Sequence, residues 1–471
     1  MPVRPARASA LAALLACTPA PPGGDPGTDA STLAPASTTD PTTTSQTTNV
    51  DPTTTTDVDP TTTTEPPPPP VCGDGLVQAG EECDDGNQDD ADCCTSACTK
   101  GQDEPGQVCW TVTLEGDKNG EDQAGGIAVD AAGDLYVAAL VVDTLTGPDA
   151  LIRKLDPGGV GVWTQQYDGG ANGPDAALEI AAEPSGFMVA VGRQTVAMGQ
   201  PSEFWLSKCT PTGQIVWQFT DGAPIAGAAA ALHGDDPVIA GNIKQNGDTN
   251  AWVRKYDENG TQLWTAVHAG ASGGLDSLGG VAVDGAGNVI AVGRESTAGE
   301  GFDILVLQFA PDSTPGWSDR VDGGMAGNDW ASDVAVDPAG NVYVAGRVDA
   351  GGGFSDAWLR KYDPAGEPLW TGGFAGAFGE SDDVTAIAAT ADGGFVAAGS
   401  TAVGPGDTDL WIRRYDPSGA EVWTDVVAGM NGGADTAADV AFTHDGGVVV
   451  IGTLTVAPNL NSDVWVRKYG P

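Results

Sequence analysis

The chain has 471 residues, of which 68 are Gly and 33 Pro, and it carries 65 acidic against 20 basic side chains for a formal net charge of -45. That composition excludes a single helical domain and favours segments of strand and turn. The charge repels phosphate backbones and anionic headgroups, which sets nucleic acid aside as a partner and reads as a solvated acidic surface suited to a cation-rich medium.

Residues 1–17 come first. Arg4 and Arg7 precede an apolar run from Ala8 to Ala16, far short of the roughly 20 residues that span a bilayer, so this is an export signal. It ends in Leu14-Leu15-Ala16-Cys17, which resembles a bacterial lipobox. The resemblance implies a diacylglycerol on the Cys17 thiol and a mature chain anchored to a membrane without crossing it. Leu15 is bulkier than the residue usual there, and ordinary cleavage with free secretion is the other reading. The expected location is the outer membrane or cell surface as a lipoprotein, alternatively the medium. No other segment reaches membrane-spanning length.

Residues 18–70 are Thr, Pro, Ser and Asp, with Asp51-Pro-Thr-Thr-Thr-Thr, Asp59-Pro-Thr-Thr-Thr-Thr and a closing run from Pro66 to Pro70. Such a segment cannot bury a core, and it is expected to be a disordered linker. At about 3.1 Å per residue in an extended polyproline-like form it makes a stalk on the order of 100 Å long.

Residues 71–109 hold Cys72, Cys83, Cys93, Cys94, Cys98 and Cys109. In an exported chain this density implies a small disulfide-rich module, and the six thiols leave the pairing open. Zinc is disfavoured because no His lies nearby and the spacing is not a paired CxxC. The run Asp84, Asp85, Asn87, Asp89, Asp90, Asp92 reads as an Asx-rich turn, since it lacks the spacing of an EF-hand loop. Cys72-Gly-Asp-Gly and Gly80-Glu-Glu-Cys-Asp-Asp-Gly-Asn87 resemble the myxobacterial cysteine-rich repeat over residues 72 to about 98. The adjacent Cys93 and Cys94 depart from that pattern and open the option of an added bridge from Cys93 to Cys109.

Residues 110–471 repeat. Trp110, Trp163, Trp217, Trp264, Trp317, Trp370 and Trp423 recur at intervals of 53, 54, 47, 53, 53 and 53 residues. A second anchor, seen as Arg153-Lys-Leu-Asp-Pro, Arg360-Lys-Tyr-Asp-Pro and Arg467-Lys-Tyr-Gly-Pro, also occurs seven times. Within one period, strands are predicted at 333–337, 342–346, 357–362 and 368–371, separated by Gly and Pro turns. Four short strands per period of this length make a blade, so the predicted fold is all-β, a seven-bladed β-propeller of four-stranded blades. The Trp110 strand has no blade before it and the last repeat stops where its own Trp strand is due, so Trp110 is expected to complete the last blade. The stretches Gly327-Asn-Asp329, Val334 to Gly346 and Trp358 to Pro364 resemble the SBBP-type bacterial β-propeller repeat. That resemblance implies a fold and a surface location but no catalytic residues.

Candidate sites lie where repeats differ or carboxylates gather. Asp122, Asp175, Asp276, Asp329, Asp382 and Asp435 precede the first strand of six repeats, and the third repeat lacks the residue through a deletion between Trp217 and Ala229. The six carboxylates are expected to ring one mouth of the central channel. They either hold calcium or accept backbone amides of their own loops, and recurrence favours the scaffold role. No other cofactor is expected. Trp330 and its neighbour Asp329 are the ligand-binding candidates, because the other repeats place Gln123, Ala176, Ser277, Asp383 and Thr436 at the Trp330 position. The segments Gln194 to Ser202, Glu295 to Phe302, Val348 to Ser355 and Thr401 to Asp407 are expected as variable loops on the same face.

No catalytic residue is nominated. His233, His268 and His444 are scattered, Cys209 sits at a repeated core position, and Trp358, Arg360 and Tyr362 share one strand face as inter-blade packing. Asp363 to Trp370 superficially resembles the tryptophan-docking repeat of quinone-dependent dehydrogenases, but those resemble eight-bladed propellers. The expected function is a surface-displayed, noncatalytic binding or adhesion scaffold, a monomeric propeller, for an extracellular glycan, protein or envelope polymer. The alternative is an extracellular polysaccharide lyase or hydrolase using acidic residues at the channel mouth.

Overall fold

The computed structural model describes residues 105–471 except 115, 117–119, 144–146, 170–172, 198–201, 222–224, 246, 300, 325–326, 377, 431 and 457–460. The signal and lipidation site at Cys17, the linker at 18–70, and Cys72, Cys83, Cys93, Cys94 and Cys98 lie outside the described residues. Among the described residues no helix is long and apolar enough to cross a membrane.

The chain enters on β1 (Val108–Leu114). Blade 1 is β2 (Gln123–Val129), β3 (Leu135–Asp143), β4 (Gly147–Leu155) and β5 (Gly161–Tyr167). Blade 2 is β6 (Ala176–Ala182), β7 (Met188–Gln194), β8 (Glu203–Cys209) and β9 (Ile215–Asp221), and blade 3 is β10 (Ile225–His233), β11 (Asp236–Gln245), β12 (Asp248–Tyr256) and β13 (Gln262–His268). Blade 4 is β14 (Ser277–Val283), β15 (Val289–Thr297), β16 (Gly301–Phe309) and β17 (Pro315–Val321). Blade 5 is β18 (Trp330–Val336), β19 (Val342–Gly351), β20 (Phe354–Tyr362) and β21 (Pro368–Phe374). Blade 6 is β22 (Asp383–Ala389), β23 (Phe395–Gly404), β24 (Asp407–Tyr415) and β25 (Glu421–Val427). Blade 7 is β26 (Thr436–Phe442), β27 (Val448–Val456) and β28 (Asn461–Tyr469), and β1 is its fourth strand. All pairings within blades are antiparallel, and β1 runs in register along β28 with Thr111 opposite Arg467 and Thr113 opposite Trp465.

The strands are longer than the repeat suggests. Three of the segments expected as loops between second and third strands are largely hydrogen-bonded hairpin: Ser296 pairs with Phe302, Asp349 with Ser355 across the tip at Gly352 and Gly353, and Thr401 with Asp409, whereas β7 ends at Gln194 and β8 begins at Glu203, as expected of a loop there. Trp330 opens β18 rather than lying in the loop before it. Ladder hydrogen bonds extend both strands of a hairpin until a positive-φ glycine ends them, as Gly352 does at φ 71 and Gly406 at φ 73.

The burial pattern follows from blade stacking. Second strands read as near-continuous apolar runs buried on both faces, as in Met188 to Gly192, because each is sandwiched between neighbouring blades. Fourth strands alternate between exposed and half-buried, as in Gly161–Tyr167. The apolar core is accordingly seven clusters, each shared by two adjacent blades; Val292 and Val306 of blade 4, for example, pack with Val334, Trp358 and Tyr362 of blade 5. The recurring tryptophans lie on these seams. The Trp110, Trp163, Trp217 and Trp264 indoles each donate Nε1–H to a turn carbonyl of the next blade at 2.9 to 3.1 Å.

Candidate functional site at the channel mouth

The six aspartates that precede the inner strands are buried at 1 to 2% exposure. Each carboxylate accepts two backbone amides, one six residues earlier and one twenty later. Asp122 takes Gly116 and Val142 at 2.8 Å each, and Asp276 takes Gly270 at 2.6 Å and Ser296 at 3.0 Å. The same bonds join Asp175 to Gly169 and Thr195, Asp329 to Gly323 and Asp349, Asp382 to Gly376 and Ala402, and Asp435 to Gly429 and Thr455. The amide of each aspartate meanwhile donates to the start of a third strand, as Asp329 does to Phe302 at 2.7 Å. The carboxylates therefore staple the loop between blades to the second-strand end of the following blade. Burial pushes the carboxyls of Asp175, Asp329 and Asp435 up, and the amide bonds partly offset it.

Two of the six gather further acids. Asp149, Asp168 and Asp175 each bring one oxygen within 4.8 Å of the others, as do Asp303, Asp322 and Asp329. In the second group Asp303 already accepts the Thr297 hydroxyl at 2.9 Å and pairs with Arg320 at 3.3 Å. The grouping is a property of two blade junctions and not a symmetric ring.

Blade 5 departs from the repeat at Trp330. Trp330 lies opposite Arg347 in the hairpin of β18 and β19, at the register where Ser277 faces Arg294 in the preceding blade. The Arg347 guanidinium carbon is 3.2 Å from the Trp330 ring centroid, and that of Arg294 is 5.1 Å from it and 4.6 Å from the Phe302 ring. Arg347 Nη1 donates to Asp383 Oδ2 at 2.8 Å, and Asp383 Oδ1 accepts the Ser355 hydroxyl at 3.1 Å. Three blades thus meet around one half-buried indole. Sequence comparison singled out Trp330 but missed its arginines: Arg294 and Arg347, like Arg193 of blade 2, follow a glycine where blades 6 and 7 have Ser400 and Thr453, so they do not stand out as departures from the repeat.

A second set was also missed. Every inner strand carries a bulge in its pairing with the second strand, and the residue that follows the bulge is Glu179 in β6, Asp333 in β18 and Asp439 in β26. The equivalent residues elsewhere are Gly126, Ala229, Gly280 and Ala386. Asp333 accepts Val334 N at 2.7 Å and, from the next blade, Ile387 N at 2.9 Å; Asp439 accepts Val440 N and, from blade 1, Ile127 N, each at 2.7 Å. Glu179 accepts Ile180 N at 2.8 Å, and its Oε1 occupies the space a Cβ at Gly126 would fill. Burial in the channel, then the Asp439 charge, pushes Asp333 up to about 7; burial pushes Asp439 up to about 6, and burial with both aspartates raises Glu179 well above the carboxylate range. The signal in the sequence is a carboxylate inside a strand that elsewhere carries Gly or Ala.

The remaining reactive residues are dispersed. His233 contacts Lys255 at 2.9 Å, His268 contacts Glu295 at 2.9 Å, and His444 meets the Asp130 carbonyl at 2.8 Å, in separate parts of the ring. Cys209 is fully buried in the seam between blades 1 and 2, its Sγ 3.6 Å from the Ser207 hydroxyl and 3.9 Å from that of Tyr167. Arg360 lies 5.1 Å from the Trp358 ring and pairs with Asp319 of the preceding blade at 3.3 Å, a role in blade stacking.

Residues 323–349, which span this corner from Gly323 to Asp349, match the SBBP beta-propeller repeat. No curated protein matches the sequence. Among solved structures the chain is similar to a Bacteroides caccae protein of unknown function, at 13% identity and a TM-score of 0.38 over 59% of this chain and 89% of that one. It is similar to the Neurospora crassa Pan2 WD40 domain at 12% identity and a TM-score of 0.44, over 73% and 88% of the two chains. The figures for Drosophila Plexin A, solved in complex with Semaphorin 1b, are 10% identity, a TM-score of 0.46, and 78% and 88% coverage. These likenesses carry no role to this chain.

Proposed function

We propose that the protein is a surface-displayed, noncatalytic recognition or adhesion scaffold that engages an extracellular glycan, protein or envelope polymer at the channel mouth beside Trp330. The observation that carries this reading is the corner formed by Arg294, Trp330, Arg347 and Asp383, where the departure of blade 5 at Trp330 gathers half-buried aromatic and cationic groups from three blades. Asp329 serves this site from behind, by holding the loop that leads into Trp330. The alternative, a lyase or hydrolase using the acids of the mouth, loses support because the six repeated aspartates are buried and committed to backbone amides.

In this reading Cys17 carries the lipid that places the protein at the outer membrane or cell surface, residues 18–70 form the stalk, and the propeller acts as a monomer. The cysteine-rich module caps the stalk with disulfides. Cys109, buried on β1, supports this as a disulfide-bonded residue. Calcium is a secondary proposal, attached to Asp149, Asp168 and Asp175 and to Asp303, Asp322 and Asp329. A melting temperature that falls on chelation supports it, and an unchanged one removes it.

The recognition reading is tested by screening the mature chain against glycans and envelope polymers, then repeating the screen with Trp330→Ala. Binding lost in a variant that still melts cooperatively supports the site. Binding that survives intact moves the function elsewhere.

A further inference from the structure

Arg294 is a cation without a counter-charge in a protein that has an excess of counter-charges. Its Nε donates to the Ser277 hydroxyl at 3.3 Å, and among the described residues no carboxylate pairs with its guanidinium. The neighbouring acids are engaged elsewhere: Asp383 with Arg347, Asp303 with Arg320, and Asp329 with two amides. Two guanidinium groups therefore share the Trp330 ring, and the one carboxylate paired at this corner, Asp383, serves Arg347 alone.

This imbalance is felt. Partial burial, then the nearby charge of Arg347, lowers the proton affinity of Arg294. Partly desolvated like charges are relieved by an anion, and a guanidinium presents a planar fork that matches the two oxygens of a carboxylate. The Phe302 and Trp330 rings border the same spot, and ring surface of this kind packs against the C–H face of a sugar.

We propose that the corner of Arg294, Arg347, Trp330 and Phe302 is a subsite for the carboxylate of a uronic acid in an acidic glycan. The inference rests on the recognition reading above and names its ligand class. Arg294 supplies the unpaired fork, Arg347 the supporting charge, and Asp383 with Ser355 holds Arg347 over the indole. The general acidity of the surface works against acidic polymers elsewhere on the molecule, so the local cation would confine binding to this mouth.

The test is calorimetric titration of the mature chain with tetragalacturonate and with its methyl ester, which keeps the sugar rings and removes the charges. The acid should bind at least about tenfold more tightly than the ester, as expected for a charge-assisted hydrogen bond, and added salt should weaken it. Arg294→Gln should lose about the same factor for the acid alone, and Arg294→Lys should recover part of it. Equal binding of acid and ester, or an Arg294→Gln variant that binds the acid like the parent, overturns the uronate subsite. Ester binding that is abolished by Trp330→Ala would leave the recognition reading standing without its anion. Binding of tetraglutamate but neither sugar would overturn the glycan class in favour of an acidic peptide.

Discussion

Trp423 of blade 6 rests on Gly106, a residue that precedes the entire propeller in sequence. A Cβ built on Gly106 would fall 2.8 Å from Trp423 Cδ2, and Gly106 has φ 83. The contact repeats Trp110 on Gly159, Trp163 on Gly213, Trp217 on Gly260 and Trp317 on Gly366. In those blades the glycine belongs to one continuous turn. Here the turn is assembled from the two ends of the domain, with Gly470 N donating to Gln107 O at 2.8 Å as Asp363 N donates to Glu367 O at 2.9 Å elsewhere.

Replacing Gly106 by Ala should therefore loosen the closing seam. The left-handed φ and the collision with Trp423 together should cost about 2 to 3 kcal/mol. Gly406→Ala is the control, because Gly406 has φ 73 but nothing within 4 Å of its Cβ position, and it should cost only about 1 kcal/mol. Thermal unfolding of both variants checks the difference. Equal losses would mean that backbone conformation alone matters at Gly106.

Blade 4 breaks the glycine rule. Ser313, at φ 72, is the one non-glycine residue with positive φ among the described residues, and it stands in the turn whose Pro311 carbonyl accepts the Trp264 indole. Ser313→Gly should remove that strain and stabilise the protein by about 0.5 to 1 kcal/mol after the extra chain entropy of glycine is counted. A small rise in melting temperature is the expected readout, and a fall would show that the serine makes a compensating contact.

The Asp382 carboxylate accepts the amides of Gly376 and Ala402 and the hydroxyl of Thr401. Asp382→Asn turns an amide donor toward backbone donors and should cost about 2 to 3 kcal/mol. Hydrogen exchange should locate the loss at Gly376 and Ala402. Exchange unchanged at both amides would count against the staple.

The channel carboxylates predict a pH dependence. Their folded-state proton affinities are raised, so the native state prefers them protonated. Their ionisation destabilises the fold above about pH 7, and that cost is relieved as pH falls through the Asp333 value of about 7 and the Asp439 value of about 6 toward the ordinary carboxylate range. Melting temperature should rise between pH 8 and pH 5. Glu179→Gln keeps an acceptor for Ile180 N while deleting one charge from the set, so it should raise the melting temperature at pH 8 and flatten the slope. An identical slope in the variant would assign the effect to the net charge of the whole surface.

The repeat is legible in sequence because stacking imposes the same burial on every blade. Tryptophans at a near-constant interval, glycines at the turns and an aspartate before six of the seven inner strands are local solutions to one recurrent environment, and their period alone determines seven blades. Trp330 could be singled out for the same reason, as a departure from that environment. What only the tertiary structure decided is which departures meet. Arg294, Arg347 and Asp383 stand on blades 4, 5 and 6, and Glu179, Asp333 and Asp439 on blades 2, 5 and 7, far apart in the chain. A periodic sequence specifies each blade against its neighbour; the mouth corner is built by consecutive blades, and closure of the ring is what brings the non-neighbouring acids of blades 2, 5 and 7 to one channel. There desolvation and charge, which no single repeat contains, set their chemistry.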